Sequence, residues 1–278
     1  MRLRTPVRVA IWVLLLPVLA GILFPFGVML STSLKPADEV AALRYQWLPS
    51  RPRPANYADV FRAMPLARYF LNSLIVALGA TALGITCAVP AAYALARLRF
   101  PGKQAVRFTI LVTQMFSPIV LIVALFTQFG RYGLLGGANV YVALILANAA
   151  FSLAFSIWLL SGYFATVPPE IEEAALMDGC SRLGTVRRVM LPLAAPGIVT
   201  TVIFSFIAAW NEFMFALTFV ADDRYKPLTV GIFSFVGQYA VDWQYLMAAA
   251  LLATVPVIAL FLAVENHLIR GLTAGAIK

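Results

Sequence analysis

Six apolar stretches, each long enough to cross a bilayer, constrain this chain more than any other feature. They cover about residues 9–30, 70–96, 106–130, 139–163, 196–220 and 246–269. A spanning α-helix needs roughly 20 apolar residues because the hydrocarbon core of a bilayer is about 30 Å thick. An α-helix also satisfies all backbone hydrogen bonds within one segment, as the bilayer requires. The pattern predicts an all-α integral membrane protein with six transmembrane helices, forming one transmembrane domain over 1–278.

The composition agrees with this class. Hydrophobic residues make up 62% of the chain and charged residues 12%, whereas roughly a quarter of the residues in a soluble domain are charged. The net charge of +9 is spread over the loops between the stretches rather than gathered on one face, which argues for membrane lipid and against nucleic acid as a partner. The single histidine, His267, argues against a multi-histidine metal site.

The distribution of basic residues predicts the orientation of the chain. With six spans both termini lie on one side, and 12 of the 21 Lys and Arg residues fall there. The short loops of the other side hold only Arg131, Arg224 and Lys226. Because basic residues accumulate in cytoplasmic loops, both termini are predicted to be cytoplasmic. Segments 31–69 and 221–245 are then extracytoplasmic, and the loop 164–195 and the tail 271–278 are cytoplasmic.

A short helix is predicted between the fourth and fifth stretches. Pro168 and Pro169 suit a helix start, and the glutamates within residues 170–173 favour the positive end of the helix dipole. Gly179 suits the left-handed conformation that ends many helices. The result is a helix of about three turns at the boundary between lipid and water, which suits docking to a partner.

The residues from Glu173 to Gly179, followed by Val189-Met190-Leu191-Pro192, resemble the EAA loop of permease subunits of binding-protein-dependent ABC importers. The pattern of that family is Glu-Ala-Ala, three residues, Gly, nine residues and Ile-x-Leu-Pro, with Val189 here in place of Ile. The resemblance implies a type I ABC importer permease fold with a MetI-like core. It also implies that Glu173 makes a polar contact with an ATPase subunit, that Ala174 and Ala175 allow close approach, and that Gly179 makes the turn. The full set of implied ATPase-coupling residues is Glu173, Ala174, Ala175, Asp178, Gly179, Leu191 and Pro192.

Other stretches resemble the carbohydrate branch of this family, the MalG-type permease subunits. They are residues 69–74, 91–103, 210–213 and the terminal Gly-Leu-Thr-Ala-Gly-Ala-Ile-Lys. The resemblance implies a sugar or sugar-like solute and a place in the cytoplasmic (inner) membrane of a bacterium or archaeon. It further implies that the tail contacts the ATPases through Leu272, Thr273, Ala274 and Gly275.

The fifth stretch contains the candidate translocation path, formed by Trp210, Asn211 and Glu212. Glu212 is the one charged residue far from either end of a stretch, and an ionised group there is costly unless it is paired or hydrated. We therefore expect Glu212 to face the bundle or the pore, where aromatic rings and amide or carboxylate groups suit a sugar. An alternative is that Glu212 only holds the fifth helix against the partner permease.

The segment 221–245 has a mixed-charge composition. The resemblance implies that Gly237, Gln238 and Tyr239 contact an extracytoplasmic substrate-binding protein or lipoprotein. The same composition is equally compatible with a solvated connector.

The chain shows no means of binding ATP. Gly102-Lys103 is followed by Gln104 and lacks the upstream glycine of a phosphate-binding loop. We therefore expect no enzymatic activity and no bound cofactor in this chain. The resemblance implies that a separate ATPase dimer binds ATP and Mg, and that a second permease subunit completes a heterodimer.

Two other classes remain as alternatives. An ion-coupled secondary transporter would act without an ATPase, but it would normally show several intramembrane titratable groups and an internal repeat. An intramembrane hydrolase would need a recognisable nucleophile or metal motif, and we find none in the sequence.

Overall fold

The structure is a computed structural model that describes residues 5–42, 46–237 and 241–274, and this part of the chain contains helices and turns but no β-strand. The predicted all-α fold is therefore confirmed. In chain order the α-helices are α1 (Thr5–Ser33), α2 (Ala37–Val40), α3 (Ala55–Ala63), α4 (Leu66–Arg97), α5 (Lys103–Thr113), α6 (Pro118–Arg131), α7 (Val140–Thr166), α8 (Pro169–Met177), α9 (Arg182–Thr185), α10 (Leu191–Leu193), α11 (Ala195–Trp210), α12 (Met214–Phe219), α13 (Leu228–Phe233) and α14 (Trp243–Ala274).

Four helical segments are each long and apolar enough to cross a membrane: Trp12–Ser33, Leu66–Arg97, Gly137–Thr166 and Trp243–Ala263. Two bent helix pairs raise the number to six if each pair counts as one span. They are α5 with α6, bent by 95°, and Arg182–Leu193 with α11, bent by 79°. The third stretch thus differs from the single helix that was predicted, and the fifth stretch does so because residues 211–213 interrupt it between α11 and α12.

The break in the third stretch has a local cause. Ser117 is extended, with φ −69° and ψ 131°, because the ring of Pro118 disfavours a helical conformation in the residue before it. Pro118 then begins α6, where its missing N–H is not needed. Hydropathy alone does not detect this break because, apart from Gln114, the residues around it are apolar or small.

The chain divides into two compact units. The first consists of Met1–Ala67 and Gly231–Val255. In it the buried Asn56 of α3 donates hydrogen bonds of 2.8 Å to the carbonyls of Ser33 and Lys35. These bonds fix the end of α1 to α3. The segment 31–69 therefore contains two short helices, α2 and α3, and the hydrogen bonds of Asn56 fix its fold.

The second unit consists of Arg68–Val230 and Pro256–Lys278. It has two buried apolar clusters. One surrounds Leu144 of α7 together with Phe215 and Phe219 of α12. The other surrounds Leu160 and Phe164 of α7, close to α8. Both α4 and α7 contribute to these clusters, and α7 also packs against α5, α6, α11 and α12, which makes it the central helix of this unit.

α7 and α11 approach each other closely. A Cβ atom added at Gly197 of α11 would overlap the ring of Tyr163 on α7. In the same helix pair, the hydroxyls of Ser156 and Ser205 lie 3.2 Å apart. Small residues permit such close packing in membrane proteins, where no hydrophobic force favours one apolar helix over lipid.

Candidate functional site

The short helix predicted between the fourth and fifth stretches is present as α8. Pro168 precedes it and Pro169 is its first residue. Gly179 has φ +85°, and its N–H bonds to the carbonyl of Leu176 at 3.1 Å. The next N–H, of Cys180, bonds to the carbonyl of Ala175 at 3.1 Å. These two bonds form the helix ending that a left-handed glycine allows, so the predicted start and stop are both confirmed.

Most residues of α8 are exposed; only Glu172 and Ala175 face the chain itself, and one exposed stripe lies opposite them. Glu170, Glu173, Ala174 and Met177 are exposed, and their spacing places them on one face of a helix. Ala175 is only 8% exposed and packs inward. Ala174 and Ala175 therefore do not form one common face: neighbouring residues are about 100° apart around a helix, so Ala174 points outward and Ala175 inward.

Glu172 also faces inward, and its contacts were not predicted. The hydroxyl of Tyr93 donates a hydrogen bond to one of its carboxylate oxygens, and Nε of Arg97 lies 3.4 Å from the other. Nε makes no hydrogen bond with any described residue, so its contact with Glu172 is an ion pair, whereas Nη2 of Arg97 donates a hydrogen bond to the carbonyl of Val167. The sequence offers one signal for this group: Tyr93 and Arg97 are four residues apart, which places them on one face of α4.

The second half of the loop folds back into the bundle. The hydroxyl of Ser181 accepts a bond of 3.1 Å from the N–H of Gly184 and caps α9. A π-helical turn follows at Val186–Met190, with both of these end residues buried. Leu191 is half-buried and Pro192 and Asp178 are exposed.

The predicted translocation residues lie at the break in the fifth span. α11 ends at Trp210, and the carboxylate of Glu212 accepts bonds from the N–H groups of Phe215, at 2.6 Å, and Ala216, at 3.1 Å. Glu212 thus satisfies free donors at the positive end of α12. Sequence reasoning missed this capping role. The sequence pattern that could have indicated it is a glutamate three and four residues before the backbone N–H groups that it caps, those of Phe215 and Ala216.

A cleft of about 690 Å³ opens beside this break. Asn211 and Glu212 line it, and the side chain of Asn211 makes no hydrogen bond within the described part of the chain. Trp210 is 3% exposed and packs against Phe70 and Phe206, because it points to another side of the helix. The cleft combines aromatic rings with polar groups. Its rings and polar side chains are Phe151, Phe155, Phe204, Phe213, Phe215, Ser117, Asn148, Ser152, Ser205, Asn211 and Glu212.

The segment that follows α12 is fixed to the start of α4. The amide of Asn72, 3% exposed, donates to the carbonyls of Arg224, at 3.0 Å, and Lys226, at 2.9 Å. Tyr141 of α7 donates to the amide oxygen of Asn72 at 2.6 Å. The hydroxyl of Ser73 accepts from the N–H of Leu228 at 2.8 Å. The side chains of Asn72 and Ser73 therefore hold the backbone of the first part of the predicted extracytoplasmic segment 221–245.

This held segment carries an exposed ion pair. Arg224 donates from Nη2 to Oδ2 of Asp222 at 2.7 Å. Hydrogen bonding to Arg224 lowers the pKa of the Asp222 carboxyl below its ordinary value. The pair stays charged near neutral pH and presents both signs of charge to solvent.

The remaining predicted contacts are described only in part. Gly237 is exposed, whereas Gln238 and Tyr239 lie outside the described residues. In the predicted tail contact, the backbone of residues 272–274 continues α14, and Gly275 lies outside the described residues.

Known proteins resemble this chain over most of its length. It is 38% identical over 256 residues to the sulfoquinovosyl glycerol transport system permease protein SmoH of Agrobacterium fabrum, which covers 92% of this chain and 89% of that protein. It is 36% identical over 259 residues to the trehalose/maltose transport system permease protein MalG of Thermococcus litoralis, which covers 92% of this chain and 91% of that protein.

The fold has a counterpart among solved structures. A chain of a bacterial ABC transporter involved in the import of the acidic polysaccharide alginate superposes with a TM-score of 0.79 at 23% identity, covering 96% of this chain and 99% of that chain. The likeness supports the predicted importer permease fold. Residues 80–274 match the family described as binding-protein-dependent transport system inner membrane component. From this match and the two relatives, the chain belongs to the inner membrane component family of binding-protein-dependent transport systems.

Proposed function

We propose that this chain is one of two permease subunits of an ATP-driven importer for a sugar or sugar-like solute. The observation that carries the proposal is α8, a short helix that presents an exposed stripe at the end of a membrane bundle. The solute class follows from the two relatives, whose names specify sulfoquinovosyl glycerol and trehalose or maltose. A substrate-binding protein or lipoprotein delivers the solute to the outer side.

In this proposal α8 docks on an ATPase subunit, which binds ATP and Mg. Glu173 and Ala174 lie on the exposed stripe and make the contact. Gly179 ends the helix and sets its length. α8, both termini and the tail 271–278 are cytoplasmic, and the tail contacts the same ATPases.

The segment held by Asn72 lies at the other end of α4 and is extracytoplasmic in this orientation. It forms part of the surface that meets the binding protein.

The cleft beside α12 forms part of the translocation path. Its rings offer apolar faces to a sugar, and Asn211 offers an amide with free donors and an acceptor. Glu212 contributes less to binding because backbone N–H groups already occupy its carboxylate oxygens. The same geometry disfavours an ion-coupled transporter, since the carboxylate is engaged at a helix end.

Co-purification tests the proposal. The chain, extracted in mild detergent from its native membrane, should bring along an ATPase with a phosphate-binding loop and a second permease. A Glu173→Lys variant should recover at least about tenfold less ATPase, because a reversed charge in a docked face costs 1.4 kcal/mol or more. Asp38→Lys, an exposed charge reversal in α2, is the matched control and should retain the ATPase. If the chain purifies alone and moves solute in liposomes, the proposal is wrong.

An Asn211→Ala variant tests the path. Losing one neutral hydrogen bond costs about 0.5–1.5 kcal/mol, so we expect an increase of about two- to tenfold in the solute concentration for half-maximal uptake. Uptake by the reconstituted complex is measured with the sugar that its binding protein carries. Asn139→Ala, at an exposed site before α7, should leave uptake unchanged. An unchanged uptake curve for Asn211→Ala would remove this residue from the path.

A further inference from the structure

We propose that Glu172, Tyr93 and Arg97 form a clamp that makes α8 move as one body with α4 and α7. These residues act by positioning, since they face inward while Glu173 and Ala174 face out. The inference rests on the proposed function in one respect: the movement originates in the ATPase docked on α8.

The clamp joins the ends of three helices. Arg97 is the last residue of α4, Val167 directly follows α7, and Glu172 lies in the first turn of α8. The guanidinium of Arg97 contacts both the carboxylate of Glu172 and the carbonyl of Val167. A planar group with several donors in fixed directions is well suited to joining two acceptors in one geometry.

The clamp is shielded from solvent. The side chains of Arg97 and Glu172 are 10% and 14% exposed. The ring of Tyr93 packs edge-on against the fully buried Phe164 of α7, with centroids 6.2 Å apart. Water therefore competes little for these bonds, and the low local dielectric strengthens them.

α8 also packs against α9 and the turn at Val186–Met190, which belong to its own loop, so the clamp supplies its polar contacts with α4. α8 is bounded by the extended Pro168 on one side and by Gly179 on the other, and most of its residues are exposed. Ala175 is its one buried residue, and a methyl group fixes no direction. The two neighbouring glutamates thus have different roles: Glu173 contacts the ATPase, and Glu172 transmits the movement of α8 to α4 and α7.

The test compares a double replacement with the wild type. Removing one charge alone would leave its buried partner unpaired and destabilise the fold. Arg97→Met with Glu172→Leu instead keeps the volume and removes both charges. Arg99→Met, an exposed basic residue two positions further on, is the control.

The readout is the distance between spin labels on α8 and α4. Labels at Ile171 and Leu78, which are 39% and 54% exposed, are introduced after Cys87 and Cys180 are replaced by serine. In the complex with its ATPase, the wild-type distance should be unchanged by MgATP. In the double variant it should shift with MgATP by about 1–2 Å, the usual size of helix shifts in switching proteins. Arg99→Met should behave as wild type.

Two results would overturn the clamp: a double variant whose distances match the wild type, or a wild-type distance that itself changes with MgATP. The purified chain alone supplies a further arm, since the double variant should already give a broader distance distribution than the wild type. That arm tests the clamp even if no ATPase co-purifies, a result that would count only against the proposed function.

Discussion

A Gly179→Val variant should lose most of its solute uptake and release most of its ATPase. Gly179 has φ +85°, a conformation that costs an ordinary side chain about 1–2 kcal/mol and a β-branched one more. Relief of this strain breaks the bonds from Gly179 and Cys180 that end α8. The helix then frays through Met177, which belongs to the exposed stripe proposed to dock on the ATPase. A cost of this size corresponds to about a tenfold or greater loss of docked ATPase.

Two controls distinguish the loss of the turn at Gly179 from the effect of backbone strain elsewhere in the chain. Gly179→Asn should keep most of the uptake, since asparagine tolerates the left-handed region. Gly133→Val imposes similar strain, at φ +69°, and lies outside α8, so its ATPase should co-purify normally. Uptake in cells and co-purification in detergent are the measurements. Full uptake by Gly179→Val would show that the helix end is not needed.

A Gly197→Val variant should destabilise the whole subunit. Even a Cβ atom at this position would overlap the ring of Tyr163, and valine adds two further methyl groups. Overpacking of a core costs about 1–3 kcal/mol, and here it would also separate the central α7 from α11. We expect a lower melting temperature in detergent, a smaller yield of monodisperse protein and correspondingly less uptake.

The neighbouring glycine of α7 provides the matched control. A Cβ atom added at Gly162 meets nothing within 4 Å, so Gly162→Val should melt close to the wild type. Combining Gly197→Ala with Tyr163→Ala should recover part of the stability lost in Gly197→Ala alone. If Gly197→Val melts at the wild-type temperature, the close approach of α7 and α11 does not limit stability.

The sequence predicts the membrane class and α8 because both follow from local patterns. Apolar length determines a span, and the prolines and Gly179 determine where α8 begins and ends. Two spans are nevertheless broken, at residues 114–117 and 211–213. Hydropathy measures composition over a window, and it does not register a change in direction within apolar sequence.

The tasks of single residues were harder to predict. Glu172 and Glu173 are identical in type and adjacent, and only the rotation of α8 against α4 tells them apart. Glu212 was identified by its charge, but its capping bonds depend on α11 ending at Trp210. Asn72 belongs to a stretch that was noted for resemblance alone. Its partners, in the segment near Arg224, are about 150 residues away and no local pattern indicates them.

α4 carries a polar group of contacts near each of its ends. Asn72 and Tyr93 are 21 residues apart, which corresponds to about 32 Å along a helix. This separation is close to the roughly 30 Å of a bilayer's hydrocarbon core. We therefore expect the two groups to lie near the two borders of the lipid. A much thicker bilayer would then draw one set of polar contacts into hydrocarbon, so we expect the subunit to suit a membrane of ordinary thickness.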